Sequence, residues 1–340
     1  MPKTLTFIIP AYNAEKYLDK CISSLLNPAV QDDLEIIVVN DGSTDQTETI
    51  AKKYVKEYPH MCSLITKDNG GHGSAINIGF QKATGKYVKV LDADDWILTE
   101  NLTPFIHLLK DLSADVVLTN FHTVHMLTGE LTSYALPIDL CNQNYHFKNV
   151  CELWDKIHHC IAFHGITYNR LFYLSTKTFL TEHVFYEDQE YVTMPCCQAE
   201  TFFLCELYLY EYLIGNTSQS MAIENQIKRL DHLEKVIHHL LDYCGTLLYE
   251  KKYALSFCYK CVSVSLMAYL KLVCLAFSPK KEGRALARML SHRIRKNSPG
   301  LFCFIKKKYY IFLLLSYLNI SISTFEKLMH TKLYLNFRGK

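Results

Sequence analysis

Over the first 120 residues, apolar runs of strand length alternate with amphipathic stretches. The runs fall at residues 5–9, 34–39, 62–66, 87–91 and 115–119 and read as buried strands. Between the first two, Tyr17, Leu18, Cys21, Ile22, Leu25 and Leu26 recur at helical spacing and make one apolar stripe, enough to cover a sheet face. Strands separated by such helices predict right-handed βαβ units and an α/β fold with a mainly parallel sheet flanked by helices. Ligands of such sheets bind beyond the carboxyl ends of the strands, so the turns after the strands carry the chemistry.

Farther along, the pattern loosens into a hairpin around Thr128-Gly129, within residues 123–136. It then predicts a helix over 147–159, a strand over 166–169 and a helix over 187–197 whose first turn is acidic, as the helix dipole favours. From about residue 223 the periodicity is helical, without internal repeat. Three regions follow: 1–120, 121–222 and a helical appendage, 223–340.

Four turns should converge on one rim: Pro10-Ala11-Tyr12-Asn13, Asn40 to Asp45, Asp68 to Gly73, and Asp92-Ala93-Asp94-Asp95. If the chain stays extended past the fourth strand, Asp92 and Asp94 point to one face and Ala93 to the other. Two hard carboxylates there suit Mg2+ or Mn2+ holding a diphosphate, while the alternative is an acidic cap before Trp96. Asp41 is a candidate acceptor of hydrogen bonds from a base or ribose, or part of a turn leading to a helix cap. Gly70, Gly71 and Gly73 free the backbone to approach a phosphate ahead of a helix start. No Gly-Lys-Ser/Thr follows, so this is not a P-loop. His72 reads as a turn residue rather than a ligand.

Taken together, these motifs resemble the family 2 glycosyltransferases of the GT-A fold. The resemblance runs in order through residues 7–13, 40–45, 69–75 with Asn77 and Gly79, and 85–95, and it is dense over about residues 4–120. It implies an inverting, metal-assisted transfer of sugar from a nucleotide diphosphate donor, expected to be a UDP-sugar, to a saccharide or lipid-linked hydroxyl acceptor. Residues 1–120 would be the nucleotide-sugar half and 121–222 the acceptor half. Pro10, Ala11, Tyr12, Asn13, Asp41, Asn69, Gly71, Gly73, Asn77, Asp92 and Ala93 would line the donor site, and Asp94 with Asp92 would hold Mn2+ or Mg2+. The catalytic base would be Asp188, with Glu187 second. One departure stands out: an Arg expected in a loop near the diphosphate is replaced by Asn216 within residues 210–220. An amide cannot supply that bidentate charge, so either the metal and Lys228 or Arg229 compensate, or donor binding is weaker than usual. Two alternatives remain. A sugar nucleotidyltransferase would want a Gly-rich basic loop after the first strand, and a non-catalytic membrane-associated protein would keep only the donor-binding fold.

Composition changes this picture in two places. Thirteen Cys, an odd number without repeated spacing, read as reduced thiols packed as small hydrophobes. Cys258 and Cys261 lack a second pair for zinc. The formal charge is +2, yet residues 278–340 hold 14 basic and 2 acidic side chains, which leaves −10 for the rest. A basic tail with a 14-residue apolar stretch at 309–322 is short of the ~20 residues that span a bilayer. It suits either peripheral contact with an anionic membrane or a buried helix with a basic face. No nucleic-acid-binding motif accompanies the charge. With no basic-then-apolar leader at the start, the expected place is the cytoplasm, peripherally at the inner face of the cell membrane.

Overall fold

Leu5–Ala11 (β1) is buried at all seven positions, the signature of a strand covered on both faces. In the computed structural model, which describes residues 3–215, 223–247 and 252–329, β1 is followed by β2 (Leu34–Asn40), β3 (Cys62–Thr66), β4 (Tyr87–Val90) and β5 (Trp96–Ile97). Then come β6 (Val116–His125), β7 (Leu131–Tyr134), β8 (Gln143–His146), β9 (Ile166–Asn169) and β10 (Thr201–Ile214). The main sheet runs β3-β2-β1-β4-β9-β6-β10-β5, with β7 on β6 and β8 on β10. β1 pairs in parallel with β2 and β4, β2 with β3, and β6 with β10. β9 is antiparallel to both its neighbours, so the sheet is parallel at one side and mixed beyond β4.

Helices α1 (Leu18–Ser23), α2 (Thr47–Glu57), α3 (His72–Lys82) and α4 (Thr99–Asp111) connect the first strands. Phe7, Leu18, Ile22, Ile36, Phe105 and Val117 belong to one buried cluster. α3 lies so close to β1 that a Cβ on Gly79 would land on the Ile8 side chain, which fixes a glycine there. The single helix expected over 147–159 is two short ones, α5 (Phe147–Glu152) and α6 (Trp154–Ile157), broken at Leu153. Lys148, Asp155 and Lys156 in that segment leave it only Val150 and Ile157 as fully buried anchors. α7 (Arg170–Ser175) and α8 (Asp188–Cys196) complete this part. Residues 210–214, expected in a loop, are the end of the 14-residue β10. Asn216 lies outside the described residues.

The chain divides into two compact units, Met1–Thr217 and Ser218–Lys340. The second holds α9 (Ile223–Lys228), α10 (Leu230–Thr246), α11 (Lys252–Lys271, continued by a wider turn over Leu272–Ala276), α12 (Lys280–Asn297), α13 (Pro299–Tyr317) and α14 (Ile322–Met329). Cys244 on α10 and Cys258 on α11 form a disulfide, which corrects the expectation of thirteen free thiols. Helical periodicity places each cysteine in the buried stripe of its helix, and those stripes face each other. Cys261 is free and buried. Lys252–Ala276 is long and apolar enough to cross a membrane, with 67% of its apolar window buried inside the protein. The apolar stretch expected over 309–322 starts earlier, at Pro299, and breaks between Tyr317 and Ile322.

Candidate active site

The first two turns of the rim are stitched together by Asn13. Its backbone is left-handed, at φ 49°, a conformation Asn tolerates better than most residues. The Asn13 carboxamide accepts from the Thr44 N–H at 2.9 Å, and its own N–H donates to Ser43 Oγ at 3.0 Å. Pro10 and Ala11 are buried beneath this turn, whereas Tyr12 is 55% exposed.

The third turn is packed against other parts of the chain. Asp41 Oδ1 accepts from Lys67 Nζ at 2.7 Å and from the Gly70 N–H at 2.9 Å, and Oδ2 accepts from the Gly71 N–H at 2.8 Å. Asn69 donates to the Asp41 carbonyl. Three of the roughly four acceptor positions of this carboxylate are therefore spent on shaping the loop. Gly71, at φ 86°, brings the chain against His183, and a Cβ on Gly73 would sit 2.8 Å from the Thr181 carbonyl and 3.0 Å from Glu187 Cγ. Asn77 donates to the Leu180 carbonyl and accepts from the Leu180 N–H. The close approach these residues permit is thus of chain to chain: the motif straps residues 180–187 onto α3 and so sets where α8 begins.

The fourth turn is a reverse turn rather than extended strand, because the Asp95 N–H donates to the Asp92 carbonyl at 3.0 Å. The alternation argument for Asp92 and Asp94 does not hold, although both remain half-buried around the buried Ala93. Tyr210 of β10 pins the turn: its hydroxyl donates to Asp95 Oδ2 at 2.6 Å and accepts from the Asp92 N–H at 3.1 Å. The Leu213 N–H donates to Asp95 Oδ1 at 2.8 Å. Burial, then the charges of Asp92 and Asp94, push Asp95 well above the usual carboxylate range.

His72, the first residue of α3, joins the two acidic groups. Its Nε2 lies 2.8 Å from Asp92 Oδ1 and its Nδ1 lies 2.6 Å from Glu187 Oε1. Burial alone would lower its pKa, but the two carboxylates outweigh it and raise it well above the ordinary histidine value. Asp92 is pushed up by burial and pulled down more strongly by His72, ending low. Glu187 stands at the N-cap position of α8, buried at 3% exposed, and its Oε2 has no hydrogen-bond partner among the described residues. Burial and the Glu187 charge raise Asp188 to about 6.

Asp92, Asp95 and His164 present donor atoms all within 4.8 Å of one another. Burial drives His164 down to about 4, which keeps its imidazole neutral and able to ligate. Beneath it, fully buried Lys89 donates to the carbonyls of His164 at 2.7 Å and Ile166 at 3.1 Å, and burial lowers its own pKa to about 7. The donor set fits a divalent cation, with Asp95 the poorer ligand because both its oxygens already accept hydrogen bonds. His72, His164, Lys89 and Tyr210 were not among the candidates from sequence. Local spacing carries no signal for them, since the His72 partners lie 20 and 115 residues away along the chain.

Residues 6–172 match the family model described as glycosyl transferase family 2. A poly(ribitol-phosphate) beta-glucosyltransferase of Bacillus spizizenii is 34% identical over 226 residues, 64% of this chain and 33% of that protein. The chain's matches to the first three curated relatives cover 21%, 50% and 24% of their lengths, less than two thirds in each case. In shape, S. aureus TarS 1–349, solved with UDP-GlcNAc, aligns at a TM-score of 0.63 with 17% identity, over 99% of this chain and 92% of that one. The mannosyltransferase PcManGT of Pyrobaculum calidifontis, solved with GDP-Man and Mn2+, aligns at 0.50 with 16% identity, over 94% and 89%. At such identities the shapes establish a shared GT-A-like fold.

Proposed function

We propose, for a chain that belongs to glycosyl transferase family 2 through residues 6–172, that it moves a sugar from a nucleoside diphosphate donor to a hydroxyl acceptor with inversion. One observation carries this reading. A single imidazole, His72, touches both Asp92 and Glu187, so the acidic turn after β4 and the acidic start of α8 meet at one rim. A displacement with inversion needs that arrangement: a base on one side of the reacting carbon and charge-neutralising groups on the other.

Asp188 is the base. Its pKa of about 6 leaves it ionised near neutrality yet basic enough to take the acceptor proton. The acceptor oxygen then forms the new bond to the anomeric carbon, and the bond to the diphosphate breaks with its electrons leaving on the nucleoside diphosphate. Asp94 and Asp92, with His164 close to Asp92, would hold a divalent ion, Mn2+ or Mg2+, which would supply positive charge to the departing diphosphate. Tyr12 stacks on the base, and Asp41 with Asn69, Gly71, Gly73 and Asn77 supports the site mainly by fixing the loop and the start of α8. A UDP-sugar is the favoured donor, since a structural neighbour was solved with UDP-GlcNAc; the acceptor is a saccharide or lipid-linked hydroxyl, and the name of the poly(ribitol-phosphate) beta-glucosyltransferase relative adds a polyol-phosphate chain as a candidate. The place of action is peripheral, at the inner face of the cell membrane through residues 278–340.

Calorimetry of the full chain with Mn2+ and UDP-, GDP- and dTDP-sugars tests the proposal. At least one donor should bind, with slow nucleoside diphosphate release that disappears in Asp94→Ala. Failure of every donor to bind in the presence of metal would remove the basis for the activity.

A further inference from the structure

α13 has two apolar faces, of which its own unit uses one. Leu301, Ile305, Tyr309, Phe312 and Ser316 are buried at spacings of three and four, the stripe of a helix packed on a core. On the opposite side Phe304, Tyr310, Ile311, Leu314, Tyr317 and the following Leu318 each leave at least half their surface exposed. A helix in water normally carries polar residues there, and a contiguous exposed apolar patch marks a surface that meets something. The charged residues of α13 are Lys306, Lys307 and Lys308, all exposed, and α13 has no acidic residue.

α12 borders this face with arginines held against its tyrosines. Arg288 donates to the Tyr317 hydroxyl, Arg295 donates to the Tyr310 hydroxyl at 3.1 Å, and the Arg284 guanidinium lies 4.5 Å over the Tyr317 ring. The two Arg–Tyr rungs are seven residues apart on both helices, so they lie along the same edge. Over residues 280–317 there are ten Lys or Arg and one acidic residue, Glu282.

We propose that the exposed face of α13, edged by the α12 arginines, docks on the surface of an anionic phospholipid bilayer. Its apolar side chains enter the acyl boundary while the lysines, arginines and tyrosine hydroxyls stay at the headgroups. From Phe304 to Leu318 the face is ~21 Å long at 1.5 Å per residue, and because the other stripe is buried in the protein, the helix lies in the plane rather than crossing. A second copy of the chain is the poorer occupant, because each copy would bring to the contact a segment, residues 280–317, with ten Lys or Arg and one acidic residue. The inference rests on the peripheral part of the proposed function and is independent of its chemistry.

Co-sedimentation of the full chain with vesicles of phosphatidylcholine, and of phosphatidylcholine with phosphatidylglycerol, tests it, with donor binding measured on the same samples. Binding should be at least ~10-fold tighter to the phosphatidylglycerol vesicles and fall about 10-fold in the Ile311→Glu/Leu314→Glu variant and severalfold in Lys306→Gln/Lys307→Gln/Lys308→Gln. Circular dichroism of both variants should match the parent, since every substituted side chain is exposed. Equal binding to both vesicle types would overturn the proposal. So would a folded Ile311→Glu/Leu314→Glu variant that keeps its vesicle affinity, or one whose only change is dissociation of a dimer. Loss of donor binding in the parent chain, with vesicle binding intact, would count against the glycosyl transfer and leave this face standing.

Discussion

The two acidic groups of the rim are built in opposite ways. In the turn after β4, Asp92 is held by His72, and Asp95 has both oxygens held by Tyr210 and the Leu213 N–H. At the start of α8, Glu187 has one oxygen on His72 and one without a partner among the described residues, while Asp188 receives the Gln189 amide at 3.1 Å. The first group is fixed by hydrogen bonds and suits holding a cation in one place. The second is fixed by burial, which leaves proton affinity unspent and suits taking up a proton. His72 links them, so a disturbance there should reach both.

The largest effect should separate the two groups. Asp188→Asn keeps the shape and removes the proposed base, so kcat should fall by ~10²- to 10⁴-fold while donor affinity, measured by calorimetry, stays where it was. A matching fall in donor affinity would place Asp188 in the donor site instead.

Next comes the link. His72→Ala frees Asp92 and Glu187 together, and a displacement of even ~1 Å at such a site can cost about 10²-fold in rate. Unlike Asp188→Asn, it should also weaken donor binding in the presence of metal. His72→Gln, which can still bridge two carboxylates, should recover part of both. A variant that loses rate without any change in donor affinity would show that His72 serves α8 alone.

A smaller effect comes from pH. With Asp188 at about 6, the ionised, active form is present above that value and is lost as pH falls through it. The limb of kcat/KM should therefore decline ~10-fold per unit below about pH 6, and the residual activity of Asp188→Asn should lack that limb. A limb displaced to the ordinary aspartate range near ~4 would mean that burial does not act on this carboxyl as the geometry implies.

Much of this was legible in the chain, and what was not has a common cause. β1 to β4 and their turns stand out because each apolar run ends in Pro, Gly, Asn or Asp within a few residues. The Glu187-Asp188 start of α8 showed as an acidic first turn before an apolar helix. β10 was hidden at its far end, where Tyr210, Glu211 and Tyr212 look polar enough for a loop, although Tyr210 is wholly buried against Asp95. The glycines of the third turn were visible, but their reason was not: Gly73 is small because Thr181 and Glu187 pass beside it. In each case the deciding partner lies far along the chain, and periodicity reports only near neighbours.

The smallest expected effect falls on stability and isolates the fixed group. The Tyr210 hydroxyl is buried, donates to Asp95 at 2.6 Å and accepts from the Asp92 N–H. Tyr210→Phe keeps the ring and strands two polar groups, so the unfolding free energy should drop by about 1–3 kcal/mol. The Asp92 N–H is only part-buried, so water can satisfy it once the phenol is gone, and Asp95 keeps the Leu213 N–H. The drop should therefore lie toward the lower end, and rate should change far less than in His72→Ala because Asp92 keeps its contact with the imidazole. Denaturant unfolding of Tyr210→Phe beside its kcat measures both, and a rate loss as large as that of His72→Ala would mean that the turn, rather than the imidazole, sets the geometry of the site.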